Sequence, residues 1–403
     1  MRYLLAGGGP AAVFCAEAVR RLDSAGDITM LAPDAGRLRG RMALPEYLGG
    51  DLPKESACFR PETFCRDHKI QPISGRKLSS VYPEKSVAVL SDGSELRYDR
   101  LLLATGSHPI CPEWFKEGCQ GLYTFWEEED AEKLAAHIKP GDKAVVAGGG
   151  LVGLKVAEAL RKVGLEVTVL EAAGQIMPRQ LDETASALAS EAAAAAGVAV
   201  KTSTAVAGIG VAGQKVESVM LSNGKEIPAA HVVVCIGVKP NLRMLAHLGA
   251  ETAGGVEVDC HMRTRWEGVY AAGDVAKGGV FPAGGKQIVA TWQNAVKQGT
   301  AAGVNMAGGF LAYEGSIRVN TANIFGRPLA AAGETLRGPG LEEAVFYNPS
   351  SGCYRKLILR EATLVGFILW GDIRRAGALL PMIGASLRDF PGKARFGGET
   401  NLL

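Results

Sequence analysis

"VVAGGGLVGLKVAEALRKVGLEVTVLE", residues Val145 to Glu171, decides how this chain is read. An apolar run from Lys143 to Ala147 predicts a buried strand, a glycine turn follows, the apolar spacing from Leu151 to Val163 is helical, and Glu166 to Leu170 predicts a second buried strand. Each glycine has its own physical role. Gly148 permits the tight turn, Gly150 lets backbone approach a pyrophosphate, and Gly153 lets the helix pack closely on its strand. Phosphates placed there meet the helix N-terminus, where unpaired N–H groups and the helix dipole favour negative charge. Glu171, at the end of the second strand, suits the hydroxyls of an adenosine ribose and repels a 2'-phosphate.

The same pattern opens the chain in "RYLLAGGGPAAVFCAEAVR". A strand is expected over Arg2 to Ala6, a helix from Pro10 to about Ala25, and a strand over Asp27 to Leu31, with Gly7, Gly9 and Ala12 in the three fingerprint roles. Its acidic candidate, Asp34, falls slightly late in "MLAPDAGR". One glycine turn is weak evidence for a nucleotide site; two, each in strand–turn–helix–strand context, reinforce one another.

Composition limits what the two units serve. At 403 residues the chain exceeds the ~250 to 300 residues at which single cores stop growing, so several domains are expected. Its 44 basic and 42 acidic residues leave a formal charge of +2, which disfavours nucleic acid or an anionic membrane as the main partner. The apolar run after Arg2 is broken by three glycines and Pro10 and contains Glu17, which favours the nucleotide loop over a signal peptide, and no stretch approaches the ~20 apolar residues of a membrane span. Eight cysteines (15, 58, 65, 111, 119, 235, 260 and 353) form no C-x-x-C pair and no metal-ligand spacing, so a reduced, cytoplasmic setting and no metal are expected. The six histidines are scattered, and no nucleophile motif accompanies them.

Between the units, "VYPEKSVAVLSDGSELRYDRLLLATGSHP" reads as short alternating strands with a hairpin signal at Asp92-Gly93, then a buried strand from Leu101 to Ala104 ending in Thr105-Gly106. Downstream, "AAHVVVCIGVKPN" is another buried strand running into Gly237, and "RWEGVYAAGDVA" places Gly273-Asp274 after a short strand, suited to a phosphate or polyol tail. The alanine-rich stretch near residue 190 is expected to be a helix ending at Gly197. From about Phe310 the chain changes to a strand meander with turns near Asn348 to Gly352 and Glu361 to Thr363, closed by an apolar helix in "IRRAGALLPMIGASL".

The order GGGPAA, ATG, GGGLVG, GVKPN, AAGD resembles the FAD-dependent pyridine nucleotide-disulfide oxidoreductase superfamily through about the first 305 residues. The resemblance implies an α/β fold: two Rossmann-like domains, an FAD domain (1–115 and 236–308) with an inserted NADH domain (116–235), and a smaller C-terminal α+β interface or cap domain (309–403). It implies FAD on Gly7, Gly9, Pro10, Ala11, Ala12, Asp34, Thr105, Gly106, Gly273 and Asp274, NADH on Gly148, Gly150, Leu151, Val152, Gly153 and Glu171, and further cofactor contacts at Arg41 and Gly237. Hydride then passes from the nicotinamide to the flavin.

Arg37 to Leu48 lacks the redox cysteines that disulfide reductases carry on the FAD half. The stretch is similar instead to the "R-P-x-L" segment of NADH:rubredoxin reductases, ferredoxin reductases and the N-terminal part of nitrite reductase large subunits: Arg41 and Leu44 match, Met42 does not. Cys58 and Cys65, seven apart, are expected on one helical face if that stretch is helical; whether they or Cys15 act in redox chemistry stays open. The branch pairs a lysine of this segment with a glutamate of the NADH helix; here Glu46 and Lys155 stand at the two positions with charges exchanged, and are expected within salt-bridge distance. Three functions remain: an NADH-dependent reductase feeding a small redox protein of rubredoxin or ferredoxin type, an NADH oxidase or reductase of oxygen, quinone, sulfur or nitrite-pathway acceptors, and a non-catalytic flavin-bound sensor or assembly subunit. Monomer and homodimer both stay open.

Overall fold

Five parallel strands in the order Val269–Ala271, Arg100–Leu103, Arg2–Ala6, Asp27–Leu31 and Ile70–Ile73 form the sheet around the first glycine turn in the computed structural model, which describes residues 1–32, 38, 40–53, 58–249 and 254–386. A second parallel sheet, Leu122–Thr124, His231–Val234, Lys143–Ala147, Glu166–Leu170 and Ala199–Lys201, repeats the order of the last four of these strands around the second turn, while its outer strand comes first in the chain where Val269–Ala271 comes last. Strands buried on both faces need continuous apolar runs, and those runs made the central strands legible. In each case a three-stranded antiparallel meander precedes the fourth core strand: Leu78–Tyr82, Val87–Leu90 and Glu95–Arg97 in one, Val206–Ala212, Lys215–Leu221 and Glu226–Pro228 in the other.

The chain divides into two compact units. One comprises residues 1–40, 55–108 and 238–317 and holds the first sheet; the other comprises 41–54, 109–237 and 318–403. The second unit also holds an antiparallel sheet, Val319–Ile324, Arg327–Gly333, Thr363–Trp370, Cys353–Arg360 and Glu342–Asn348 in that order across its width. The helix Glu183–Ala195 joins this sheet through a buried polar cluster: Asp182 caps the helix at the Ala185 N–H and also accepts from the Tyr354 hydroxyl at 2.6 Å and from Lys356 Nζ at 3.0 Å. Glu343 lies 2.7 Å from the same ammonium. Burial alone raises the Asp182 pKa, yet Tyr354, the Ala185 N–H and Lys356 outweigh it and hold the carboxyl below its ordinary range.

Three local expectations change. The first helix ends at Leu22 rather than near Ala25, because the Asp23 carboxylate takes the Ala25 and Gly26 N–H groups into a turn. The expected final helix is reduced to Ala376–Leu379 and a 3-10 turn over Leu380–Met382, since Pro381 supplies no N–H and clashes with a continuing helix. Cys65 lies in the short helix Phe64–Asp67, and Cys58 precedes it at an isolated bridge beyond Pro61, so the two share no helix. The alanine-rich helix does stop before Gly197, whose φ is 79°.

Candidate functional site

The helices Pro10–Leu22 and Leu151–Lys162 both start on a glycine, Gly9 and Gly150, with extended backbone and no side-chain cap. By contrast, Asp182 and Thr291 cap the helices Glu183–Ala195 and Trp292–Met306 with their side chains. Neither glycine-started helix has an acidic residue in its first turn, so nothing there competes with a phosphate for the helix N-terminus. A Cβ at Gly9 or Gly150 would meet nothing within 4 Å: both positions are open.

The glycines before them are closed. A Cβ on Gly7 would lie 2.1 Å from the Ala104 carbonyl oxygen, and one on Gly148 2.4 Å from that of Cys235; both residues have positive φ, 143° and 110°. Gly7 N–H donates to Leu31 at 3.0 Å and Gly148 N–H to Leu170 at 2.7 Å, the last residue of the second strand in each case. At the third fingerprint position Ala12 is fully buried, whereas a Cβ on Gly153 would come within 2.0 Å of the Gly148 carbonyl oxygen. Each turn therefore presents a bare helix start behind a tightly packed glycine, which fits a dinucleotide pyrophosphate.

The first unit brings together Gly7, Gly9, Pro10, Ala11, Ala12, Thr105, Gly106, Gly273 and Asp274. Gly273 lies against the first helix, its Cβ position 3.2 Å from the Ala11 methyl, and its N–H donates to Gln298 at 2.8 Å. Asp274 accepts from the Ser107 hydroxyl at 2.8 Å. Thr105 and Gly106 are held by Asn241: its side-chain amide donates to the Thr105 carbonyl at 2.7 Å, its N–H to the Gly106 carbonyl, and the Thr105 hydroxyl donates back at 3.1 Å. Asn241 ends the GVKPN motif, so a signal for it was present; Gln298, 1% exposed in mid-helix, gave none beyond its polarity in an apolar stretch. Asp34 lies outside the described residues.

The second unit collects Gly148, Gly150, Leu151, Val152, Gly153, Glu171 and Gly237, together with Arg41, Glu46 and Lys155. Glu171 is fixed by two backbone donors, Gly149 and Ala173, each at 2.8 Å, which aim its carboxylate at the glycine turn. Gly237 follows the fourth core strand with φ 120°. Arg41 stacks 4.5 Å over the Trp126 ring and pairs with Glu127 at 2.5 Å. Lys155 Nζ lies 3.3 Å from Glu46, the approach expected from the exchanged charges, and 2.8 Å from Glu158. Burial opposes the Lys155 ammonium, but Glu158 and then Glu46 outweigh it and hold its pKa above the ordinary lysine value. Glu158 was missed; an acid three residues after a helical lysine was its signal.

All eight cysteines are free thiols. Burial pushes Cys15 and Cys65 up and raises Cys235 to about 12, which keeps these groups protonated and poorly nucleophilic at neutral pH. Among the described residues no group of three or more His, Cys, Asp or Glu side chains is arranged to hold a metal ion, and no helix is long and apolar enough to cross a membrane.

The family model for pyridine nucleotide-disulphide oxidoreductases matches residues 1–299. The chain belongs to that family. A second model, the rubredoxin NAD+ reductase C-terminal domain, matches residues 319–386. The NADH-dependent phenylglyoxylate dehydrogenase subunit epsilon of Aromatoleum evansii is 31% identical, covering 98% of this chain and 94% of its own. Rhodocoxin reductase of Rhodococcus erythropolis is 32% identical over 76% of this chain and 72% of its own. Among solved structures, a ferredoxin reductase from Rhodopseudomonas palustris is 26% identical with a TM-score of 0.86, covering 94% of this chain and 92% of that one. As a member of this oxidoreductase family, the protein is an FAD-dependent NAD(P)H oxidoreductase with two nucleotide-binding folds.

Proposed function

We propose that this protein oxidises NADH and delivers the electrons to a small electron-carrier protein of rubredoxin or ferredoxin type. The two uncapped, glycine-started helices in two sheets that share a four-strand order are the observation that carries the reading. FAD, when bound, supplies the step from a two-electron donor to a one-electron acceptor. The FAD domain (1–115 and 236–308) would hold it with Gly7, Gly9, Pro10, Ala11 and Ala12 at the pyrophosphate, Thr105, Gly106, Gly273 and Asp274 completing the site, and Asp34 as a further ligand. The NADH domain (116–235) would hold the nicotinamide nucleotide on Gly148, Gly150, Leu151, Val152 and Gly153, with Gly237 a further cofactor contact just beyond it. Glu171, already oriented by Gly149 and Ala173, would accept from the ribose hydroxyls and repel a 2'-phosphate. Glu46 and Lys155 would orient the nicotinamide end, with residues 309–403 as the interface or cap domain.

A carrier-protein acceptor is supported by the rubredoxin reductase C-terminal match and by the names of relatives such as rhodocoxin reductase. A cytoplasmic setting accords with the free cysteines. The test is steady-state NADH oxidation with oxygen, quinone, rubredoxin and ferredoxin. The proposal expects carrier protein to outpace oxygen and quinone; faster turnover with oxygen or quinone would replace it with an oxidase. Similarity along 98% of the chain to a protein named as a subunit supports a second reading, a redox subunit of a larger assembly. Stoichiometric flavin with slow turnover toward every free acceptor would favour it.

A further inference from the structure

Gly149, the middle glycine of the second turn, plays no part in the three-glycine fingerprint, yet it has no room for a side chain: a Cβ there would lie 2.9 Å from Ile176 Cγ2 and 3.0 Å from Glu171 Cβ. The crowding comes partly from the segment 172–181, which folds back onto the turn. Its Met177 N–H donates to the Gly149 carbonyl at 2.9 Å, while the Gly149 N–H donates to Glu171 Oε2 at 2.8 Å, so the middle of the turn is gripped from both sides. Met177 makes its bond from a left-handed backbone, φ 48°, although it is fully buried and is no glycine. Such a conformation is costly for a residue with a side chain and persists only where its surroundings enforce it. Two bonds do so here. The Met177 carbonyl accepts from the Gln180 and Leu181 N–H groups, both at 3.0 Å, and the Ser186 hydroxyl, on the neighbouring helix and 2% exposed, donates to the Ile176 carbonyl at 2.9 Å.

We propose that Met177 and Ser186 are positioning residues that set the preference for NADH over NADPH. They hold the Gly149 peptide so that its N–H keeps the Glu171 carboxylate aimed, and the inference rests on the reading of Glu171 as the ribose ligand. Gly149 donates to one carboxylate oxygen and Ala173 to the other, which leaves each oxygen a further lone pair for a ribose hydroxyl. When the Gly149 peptide turns, Oε2 loses its donor and the carboxylate swings away. NADH then loses a hydrogen bond, and a 2'-phosphate meets less repulsion. The reacting ring lies at the other end of the nucleotide, so affinity changes and the rate of hydride transfer does not.

The experiment is anaerobic rapid mixing of the flavin-loaded protein with NADH or NADPH over a range of concentrations, which gives a Kd and a limiting rate of flavin reduction for each. Leucine and isoleucine are isomers, so a packing role for Met177 would treat them alike. Only isoleucine is β-branched and unfit for a left-handed backbone. Met177→Ile is expected to weaken NADH binding and narrow the NADH preference by about tenfold each, with the limiting rate within about twofold of wild type, whereas Met177→Leu stays within about twofold throughout. Ser186→Ala, which strands the Ile176 carbonyl, should narrow the preference by about threefold. Flavin content and thermal midpoint report folding, and should Met177→Ile fail to fold, Ser186→Ala carries the test. Equal effects of isoleucine and leucine, or a preference unmoved by Met177→Ile or by Ser186→Ala while Glu171→Gln narrows it, would overturn this proposal alone. A preference unmoved by Glu171→Gln as well would overturn the ribose reading with it.

Discussion

The two glycine turns of this chain share one frame and differ in two parts. In both, a glycine too crowded for a side chain sits under a neighbouring carbonyl, and a second glycine opens the helix start. They part at the third position, where the first turn has room for the Ala12 methyl and the second has none at Gly153. They part again at the end of the second strand: Glu171 there reaches back to the Gly149 N–H, while the matching residue of the first turn, Ala32, is buried and apolar. The helices are braced differently too. The first packs against Trp292–Met306 so closely that a Cβ on Gly299 would lie 2.2 Å from the Ala11 carbonyl oxygen, and one on Gly303 2.4 Å from that of Cys15. The second meets the segment Leu44–Leu48 through buried leucines and the Lys155 and Lys162 ion pairs to Glu46 and Asp51.

Four substitutions probe that contrast. Gly7→Ala is expected to have the largest effect, a protein with little or no bound flavin by absorbance, because the new methyl collides with backbone and φ is positive. Retention of full flavin would show that the first turn is not the flavin site. Lys356→Met strands Asp182 in the second unit and should cost about 3 to 5 kcal/mol in denaturant unfolding while flavin content holds. Acid unfolding adds a sign: the stability that Asp182 contributes is complete above about pH 4 and is lost as pH falls through its depressed folded pKa. Without the Lys356 ammonium that loss should begin at higher pH, and an unchanged acid midpoint would remove Lys356 from the account. Glu171→Gln should lower kcat/KM for NADH by about 1.5 to 3 kcal/mol and narrow the preference over NADPH. Undiminished discrimination would move the ribose contact elsewhere. Ala12→Gly should be the mildest, about 1 kcal/mol of stability with flavin retained, since it removes only a helix-favouring methyl.

The sequence made the central strands and both turns readable because each demands a strict local pattern: a continuous apolar run where both faces are buried, and glycines where backbone touches backbone. Lys143–Ala147 and Glu166–Leu170 fall where their residues place them. What stayed hidden was set by distant partners. The GVKPN motif marks Asn241 without naming Thr105 and Gly106 as the partners it clasps, and nothing near Lys356 announces Asp182, 174 residues away. Failures of the local kind came from competing turn chemistry, as at Asp23, where a side chain outcompeted the helix for N–H groups. The Glu46–Lys155 approach was legible only through the resemblance, which supplied the alignment that spacing alone lacks.

The assignment of one nucleotide to each turn is tested most directly by Gly148→Ala under anaerobic conditions. Its methyl would collide with the Cys235 carbonyl and disturb the second turn, while every residue of the first stays intact. The expected outcome is a yellow protein with stoichiometric FAD that dithionite reduces fully and NADH reduces at least tenfold more slowly than wild type, the ratio expected for a loss of about 1.4 kcal/mol or more. Flavin reduction by NADH at the wild-type rate, or loss of the flavin itself, would contradict it.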